Sequence, residues 1–282
     1  MKNNPLVSIN IPTLNSGKTL ENTLMSVKNQ TYSNLEIVVA DGGSKDGTTR
    51  IARKYNAKVC YGKELSKARF EAVKNSNGKF VLLLDSDQFI PKDLIYRCVK
   101  LVKTKNLNAL VINEKSVIRK GRFIEKLLAY DKWVVNNSRD INPIFGAQVP
   151  RFFKKNILLN SEWPKDISIL DDAIFFQKNL NFLKVGFLNG EGIMHYEIDS
   201  FKIFFKKFMR YGMLYLPTIR VSPETTIAHS LPRRAYFNKK ILAKPNYFLS
   251  FVLLYFLKGT AVLTGIIIYL LRRIIFFGPS KS

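Results

Sequence analysis

The chain is poor in the residues that build disulfides or sulfur-ligated metal sites. Only two cysteines, Cys60 and Cys98, occur in 282 residues. They sit in or beside apolar runs, without CxxC spacing, and read as buried, reduced thiols rather than as a bridge or a metal site. Histidine is as scarce, with two in all. Acidic residues are outnumbered, 21 Asp and Glu against 45 Lys and Arg, for a formal net charge of +24. Such an imbalance implies anionic partners: phosphate-bearing substrates, anionic lipid or nucleic acid. The basic residues form no isolated tail; they run along the whole chain and thicken after Phe201. The N-terminal MKNNPLVSIN lacks an apolar stretch followed by a small-residue cleavage site, so no signal peptide is expected. No internal repeat is visible.

What is present supports a folded domain. Hydrophobic residues make up 46% and aromatics 12%, enough for a substantial core. Over the first hundred residues two periodicities alternate. Leu6–Ile11, Leu35–Ala40, Lys58–Tyr61 and Lys79–Leu84 are short β-rich runs. Lys18–Asn29, Thr48–Lys54 and Glu64–Lys74 have helical character. This alternation predicts an α/β fold, a mostly parallel sheet flanked by helices on both faces. In such sheets ligands bind beyond the carboxyl ends of the strands. Polar clusters stand at those positions here: Pro12-Thr13-Leu14-Asn15, then Asp41-Gly42-Gly43-Ser44, then Asp85-Ser86-Asp87. Further on, Ala109–Arg119 reads as a strand, and Arg122–Val135 and Asp171–Leu180 as helices.

The acidic pair Asp85 and Asp87, one residue apart where the chain leaves an apolar strand, can share a hard divalent cation such as Mg2+ or Mn2+ directly or through water. A solvated acidic turn is the simpler alternative for such a short pattern. Asp41, at a Gly-Gly-Ser turn, can accept a hydrogen bond from a base or ribose, the glycines allowing close backbone approach. An ordinary strand-to-helix turn would look the same.

Taken in register, Ile-Pro-Thr-Leu-Asn, VVADGGSKDGT, Ser66-Lys67-Ala68-Arg69 and LLLDSD resemble the successive landmarks of glycosyltransferase family 2, clearly over about residues 6–100, more weakly to about 200. The resemblance implies a GT-A (Rossmann-like) domain over residues 1–200 and an inverting, metal-dependent transferase using a nucleoside-diphosphate sugar of UDP or GDP type. Pro12, Thr13, Asn15, Asp41, Gly42, Arg69, Asp85, Ser86 and Asp87 would then bind the donor, and Asp85 and Asp87 the metal. Two departures are visible: Ser16 and Ala40 stand where the family often has acids. Family members also carry an Asp at the head of a helix near the acceptor; Asp171-Asp172 in SILDDAIFF matches, and Asp172 is the candidate general base. Two carboxylates at a helix start also suit the helix dipole without any catalytic role. In related enzymes a histidine near position 195 completes the metal or diphosphate site, which makes His195 a third metal candidate.

From Phe201 the character changes. Phe201, Phe204, Phe205, Phe208, Tyr211 and Tyr215 share a helical face, with Lys202, Lys206, Lys207 and Arg210 on others. Residues 246–271 are strongly apolar, interrupted by Lys258 and flanked by Lys239, Lys240, Lys244, Arg272 and Arg273. Residues 201–282 therefore read as a helical, membrane-associated region. The apolar stretch is long enough to span, but Lys258 argues against a clean span, leaving a tilted helix or a re-entrant pair of half-helices. Membrane lipids are expected partners and nucleic acid is not. The expected location is the cytoplasmic face of the cell membrane.

Three rival readings fit the residues less well. A nucleotidyltransferase needs a Gly-rich basic loop after the first strand; IPTLNSGKTL has one glycine. A non-catalytic basic membrane- or nucleic-acid-binding protein explains the charge but not the acids gathered at one sheet edge. A polyprenyl-phosphate glycosyltransferase usually continues its metal motif as Gln-His-Pro-Pro-Glu, where this chain has Gln88-Phe89-Ile90-Pro91-Lys92. No Gln-x-x-Arg-Trp motif of processive synthases is present. The expectation is addition of a single sugar to a hydroxyl of a lipid-linked glycan or other glycoconjugate.

Overall fold

The computed structural model describes residues 4–138, 148–232, 234–237 and 245–276. The chain divides into two compact units, residues 1–117 with 148–196, and residues 118–147 with 197–282.

The first unit is built on an eight-stranded sheet: β1 Val7–Thr13, β2 Leu35–Asp41, β3 Lys58–Tyr61, β4 Phe80–Leu83, β5 Gln88–Phe89, β6 Ala109–Val117, β7 Pro150–Lys154 and β8 Val185–Tyr196. Their spatial order is β3-β2-β1-β4-β7-β6-β8-β5. Strands β1 to β4 are all parallel. Beyond them β7 runs antiparallel to β4 and β6, while β8 is parallel to β6 and antiparallel to β5. The expected mostly parallel sheet with flanking helices is therefore present. Its antiparallel β7 lies in a stretch whose mixed composition gave no strand signal.

The helices of this unit are α1 Leu20–Lys28, α2 Thr48–Lys54, α3 Leu65–Lys74, α4 Leu94–Thr104, α6 Lys155–Asn160 and α7 Asp171–Asn179. Strand alternation explains how both sheet faces are covered. Ile9, Ile11, Val39 and Leu82 join Leu20 and Leu24 of α1 and Leu94 and Cys98 of α4 in one core. Val38 and Ala40 meet Ala68 and Ala72 of α3, and Val81 and Leu83 share a cluster with Phe153 and Phe175. Both cysteines are free; Cys98 is buried, and its burial pushes the thiol up.

The second unit contains α5 Phe123–Ser138, α8 Phe201–Val221, α9 Pro223–Ser230 and α10 Pro245–Phe276. Glu125 caps the start of α5 by accepting backbone N–H bonds from Arg119, Lys120 and Arg122. The aromatic side of α8 turns partly inward: Phe204 is buried with Ile124, Leu127 and Leu254, and Phe208 packs against the same group. The α8 and α10 backbones meet at glycine, since a Cβ on Gly212 would stand 2.0 Å from the Val262 carbonyl oxygen and one on Gly265 2.0 Å from that of Met209. The apolar stretch is one unbroken helix rather than two half-helices, and Lys258 does not reach outward but donates to Asp131 Oδ2 at 2.7 Å. Tyr236 donates to the other oxygen of Asp131 at 2.5 Å. The preceding Lys239, Lys240 and Lys244 lie outside the described residues.

Candidate active site

The parallel register puts the ends of three strands together. β1 and β2 pair Thr13 with Asp41, and β4 ends beside β1 just before Asp85. Pro12 lies buried inside β1 and pairs with Ala40, so it shapes this edge through the backbone. Gly42 donates its N–H to the Thr13 carbonyl at 2.8 Å. A Cβ on Gly42 would stand 3.4 Å from the carbonyl oxygens of Thr13 and Lys63, which explains a small residue there.

Asp41 is buried and fully engaged. Its Oδ1 accepts from Thr13 Oγ1 at 3.0 Å and Ser44 Oγ at 2.5 Å, and its Oδ2 from the backbone N–H of Gly43 and Ser44 at 3.0 and 2.8 Å. Burial alone would raise its pKa, but these four donors outweigh burial and hold the carboxyl below the usual range. Asn15 adopts a left-handed backbone, φ 51°, and its side-chain oxygen accepts from the Lys45 N–H at 2.9 Å. Ser16 Oγ and Ser86 Oγ lie 2.8 Å apart, tying the first loop to the acidic one.

Deeper in the site two buried arginines are interleaved with acids. Arg69, from α3, donates from Nη2 to Asp85 Oδ1 at 2.9 Å and places Nε 2.9 Å from Asp171 Oδ2. Its buried Nη1 has no hydrogen-bond partner among the described residues. Arg151, from β7, has Nη2 3.0 Å from Glu114 Oε1 and 3.5 Å from Asp172 Oδ2, and Nη1 3.5 Å from Asp85 Oδ2. Gln88 bridges the same group, donating to Glu114 Oε1 at 3.0 Å while its own oxygen accepts from the Asp85 N–H at 2.9 Å. Burial favours the neutral form of both arginines, but the surrounding carboxylates raise their pKa values and keep them charged.

The two acids at the head of α7 differ in environment. Asp171 is buried against Arg69; burial pushes its carboxyl up, to about 6, with Asp172 and Asp85 adding to the rise and Arg69 opposing it. Asp172 is more open, 29% exposed at the side chain, and accepts from the Ala173 N–H at 2.9 Å.

Asp87 and His195 converge because β5 pairs antiparallel with β8: Gln88 lies opposite His195, which brings the preceding Asp87 alongside. His195 Nε2 is 3.2 Å from Asp87 Oδ2, and the Asp87 side chain is 48% exposed. A nitrogen and a carboxylate oxygen at this spacing, open to solvent, fit a divalent cation that takes its remaining ligands from phosphate and water. No cluster of three or more potential metal ligands occurs among the described residues. A surface cavity of about 560 Å³ lined by Lys79, Phe80, Val102, Lys154 and Lys155 holds none of these residues.

Sequence reasoning missed Arg151, Glu114 and Gln88. The signal for Arg151 was an arginine inside PRFFK, a run otherwise suited to burial; Glu114 follows the apolar ALVIN segment.

Polar loops at the carboxyl edge of a mostly parallel sheet, with acids and a histidine beside them, are the arrangement of a GT-A-like fold. The profile of "Glycosyl transferase family 2" matches residues 8–210, and the chain belongs to that family. A curated relative is the Escherichia coli UDP-Glc:alpha-D-GlcNAc-diphosphoundecaprenol beta-1,3-glucosyltransferase WfgD, 30% identical over 146 residues, 46% of this chain and 56% of the relative. The mannosyltransferase PcManGT from Pyrobaculum calidifontis, solved with GDP-Man and Mn2+, covers 95% of this chain and 88% of its own, with a TM-score of 0.59 at 18% identity. TarS of S. aureus residues 1–349, solved with UDP-GlcNAc, covers 80% of this chain and 70% of its own, with a TM-score of 0.53 at 18% identity. These two structures establish the fold. The first four curated relatives are matched over 19–64% of their own lengths.

Proposed function

We propose that this protein transfers a single sugar from a UDP- or GDP-sugar to a hydroxyl of a lipid-linked glycan or other glycoconjugate, inverting the anomeric centre. The observation that carries the reading is the gathering of Thr13–Asp41, Arg69–Asp85, Asp87–His195 and Asp172 at one sheet edge. Asp41, held ionised by its four donors, anchors the loop on which the base or ribose rests, with Asn15 and Gly42 shaping the pocket wall. Arg69 keeps a buried donor unspent, suited to a diphosphate or sugar oxygen. Asp87 and His195 would hold a divalent cation, with Asp85 beside them fixed between the two arginines; the imidazole would favour Mn2+ over Mg2+. When bound, that cation neutralises negative charge on the departing diphosphate.

Asp172 takes the proton of the acceptor hydroxyl. The oxygen attacks the anomeric carbon from the side opposite the diphosphate, the new C–O bond forms, and the bonding pair of the broken C–O bond leaves on the diphosphate. Arg151 fixes the orientation of Asp172 without touching substrate. The named acceptor of the Escherichia coli relative, a diphosphoundecaprenol-linked sugar, supports a lipid-linked acceptor here. It also agrees with attachment through residues 201–282 to the cytoplasmic face of the cell membrane. Within helix Phe248–Ile275 an 18-residue stretch has a mean hydropathy of 2.1, and only 22% of that stretch is buried.

The test is thermal stability of the full chain with UDP, GDP and their sugars, with and without Mn2+, in wild type and Asp87→Ala. Ligand binding to the folded state raises the midpoint. A Mn2+-dependent rise with one nucleotide, lost in the variant, supports the reading. Absence of any rise in folded protein overturns it.

A further inference from the structure

The second unit carries an apolar surface that the sugar-transfer chemistry does not use. On α10, Leu249, Phe256, Leu263, Ile267, Leu270 and Ile274 are all exposed. Helical spacing places them on one side, opposite the buried Leu254 and Ala261. At 1.5 Å per residue the stripe is about 38 Å long. A continuous apolar surface of this size marks an interaction site.

Register decides how a bilayer can cover it. Lys258 Nζ lies 5.5 Å from the centre of the Phe208 ring, and Gly212 meets Val262, so α8 and α10 run side by side in the same direction. Lys202, Lys206 and Arg210, exposed on α8, therefore accompany the first half of α10. Were α10 to stand across a bilayer, these cations would enter the hydrocarbon with it.

We propose that α10 does not cross the membrane but lies in the plane of one leaflet of an anionic bilayer. The apolar stripe faces the acyl chains, α8 with its exposed cations lies on the opposite, aqueous side of α10, and Arg272 and Arg273 reach the phosphate headgroups where the stripe ends. Both ends of α10 then stay on the same side of the membrane. This rests on the membrane reading given above and specifies its geometry. A bilayer is favoured over a second copy of the chain because the stripe ends at the exposed Arg272 and Arg273, matching lipid phosphate, whereas a second copy would bring the same positive charge.

The test expresses the full chain in a bacterium with green fluorescent protein or alkaline phosphatase fused after Ser282, followed by fractionation and flotation. The expected result is recovery in the membrane pellet, a fluorescent fusion and an inactive phosphatase fusion. Purified chain should float several-fold more with phosphatidylglycerol-containing vesicles than with pure phosphatidylcholine. The double variant Leu263→Lys, Ile267→Lys should move to the soluble fraction with unchanged helical circular dichroism. Active phosphatase would show that α10 crosses, overturning the in-plane geometry while leaving the membrane reading intact. Wild-type recovery in the soluble fraction, as a monomer or as an oligomer of defined size, would overturn the membrane reading itself. Retention of the folded double variant in the pellet would show that the stripe is not the contact surface.

Discussion

His195 Nε2 stands 3.2 Å from Asp87 Oδ2, although they lie 108 positions apart in the chain. The contact is a product of strand pairing, since β5 is only two residues long and is held by Met194 and His195 of β8. If this pair holds the metal, His195→Ala should raise the Mn2+ concentration needed for half-maximal nucleotide-dependent stabilisation by about tenfold or more, equivalent to ~1.4 kcal/mol. Asp87→Ala should abolish the Mn2+ dependence, and chelation with EDTA should reproduce that loss in the wild type. Titration of the thermal midpoint with Mn2+ at fixed UDP or GDP measures all three.

Asp172 is assigned the proton transfer, so its loss should separate chemistry from binding. Asp172→Asn keeps shape and removes basicity. The expected outcome is a fall in kcat of about 10²–10⁴-fold, with the nucleotide-induced rise in Tm retained. A variant that keeps full turnover would move the base elsewhere. Asp171→Asn serves as the contrast: Asp171 is buried against Arg69, so its loss should act on stability and on donor binding through Arg69.

Much of this site is legible in the amino-acid sequence. Thr13, Asp41, Asp85 and Asp87 each follow a β-rich apolar run, and a parallel sheet must bring such strand ends to one edge. Asp172 announces itself as an acid heading a helix. Arg151 and Glu114 stand out only as charges in or beside apolar runs; that they reach the site is not legible, for a physical reason. They reach the site from β7 and β6, whose antiparallel pairing depends on long-range register that local periodicity does not encode. Likewise, which of Asp171 and Asp172 is buried depends on the placement of Arg69, not on their adjacency.

Arg151 is enclosed by Asp85, Glu114 and Asp172. Its removal leaves three carboxylates near one another without their shared cation. Arg151→Met should therefore destabilise the fold by about 3–5 kcal/mol, the range for breaking a buried ion pair from one side. Arg151→Lys should recover part of that, because a lysine restores the charge but not the forked geometry. Chemical denaturation of the two variants at neutral pH measures the difference.

Asp41 makes stability depend on pH in a defined direction. Its carboxyl is held below the usual range in the folded state. A depressed acid contributes stability that is present above the unfolded pKa, about 3.9, and lost as pH falls through the folded value. Asp41→Asn lacks this contribution at every pH. The Tm difference between wild type and Asp41→Asn should therefore be largest from about pH 5 upward and shrink as pH falls below about 4. A gap that stays constant from about pH 3 to 7 would contradict the assignment of Asp41 as the ionised anchor of the donor loop.

The helical unit offers a prediction that rests on backbone geometry alone. A Cβ on Gly265 would lie 2.0 Å from the Met209 carbonyl oxygen and 2.9 Å from the Gly212 Cα. Neither neighbour is the end of a flexible side chain, so α8 and α10 would have to separate to admit even one methyl group. Glycine at such a crossing lets two helix backbones touch. Gly259, on the same helix, has nothing within 4 Å of its would-be Cβ. Gly265→Ala should thus cost about 1–3 kcal/mol, as overpacking does, even though alanine is the better helix former by about 1 kcal/mol. Gly259→Ala should be neutral or stabilising. Measuring both in the same detergent separates the crossing from helix propensity. If the two variants behave alike, α8 and α10 do not meet at this pair of glycines.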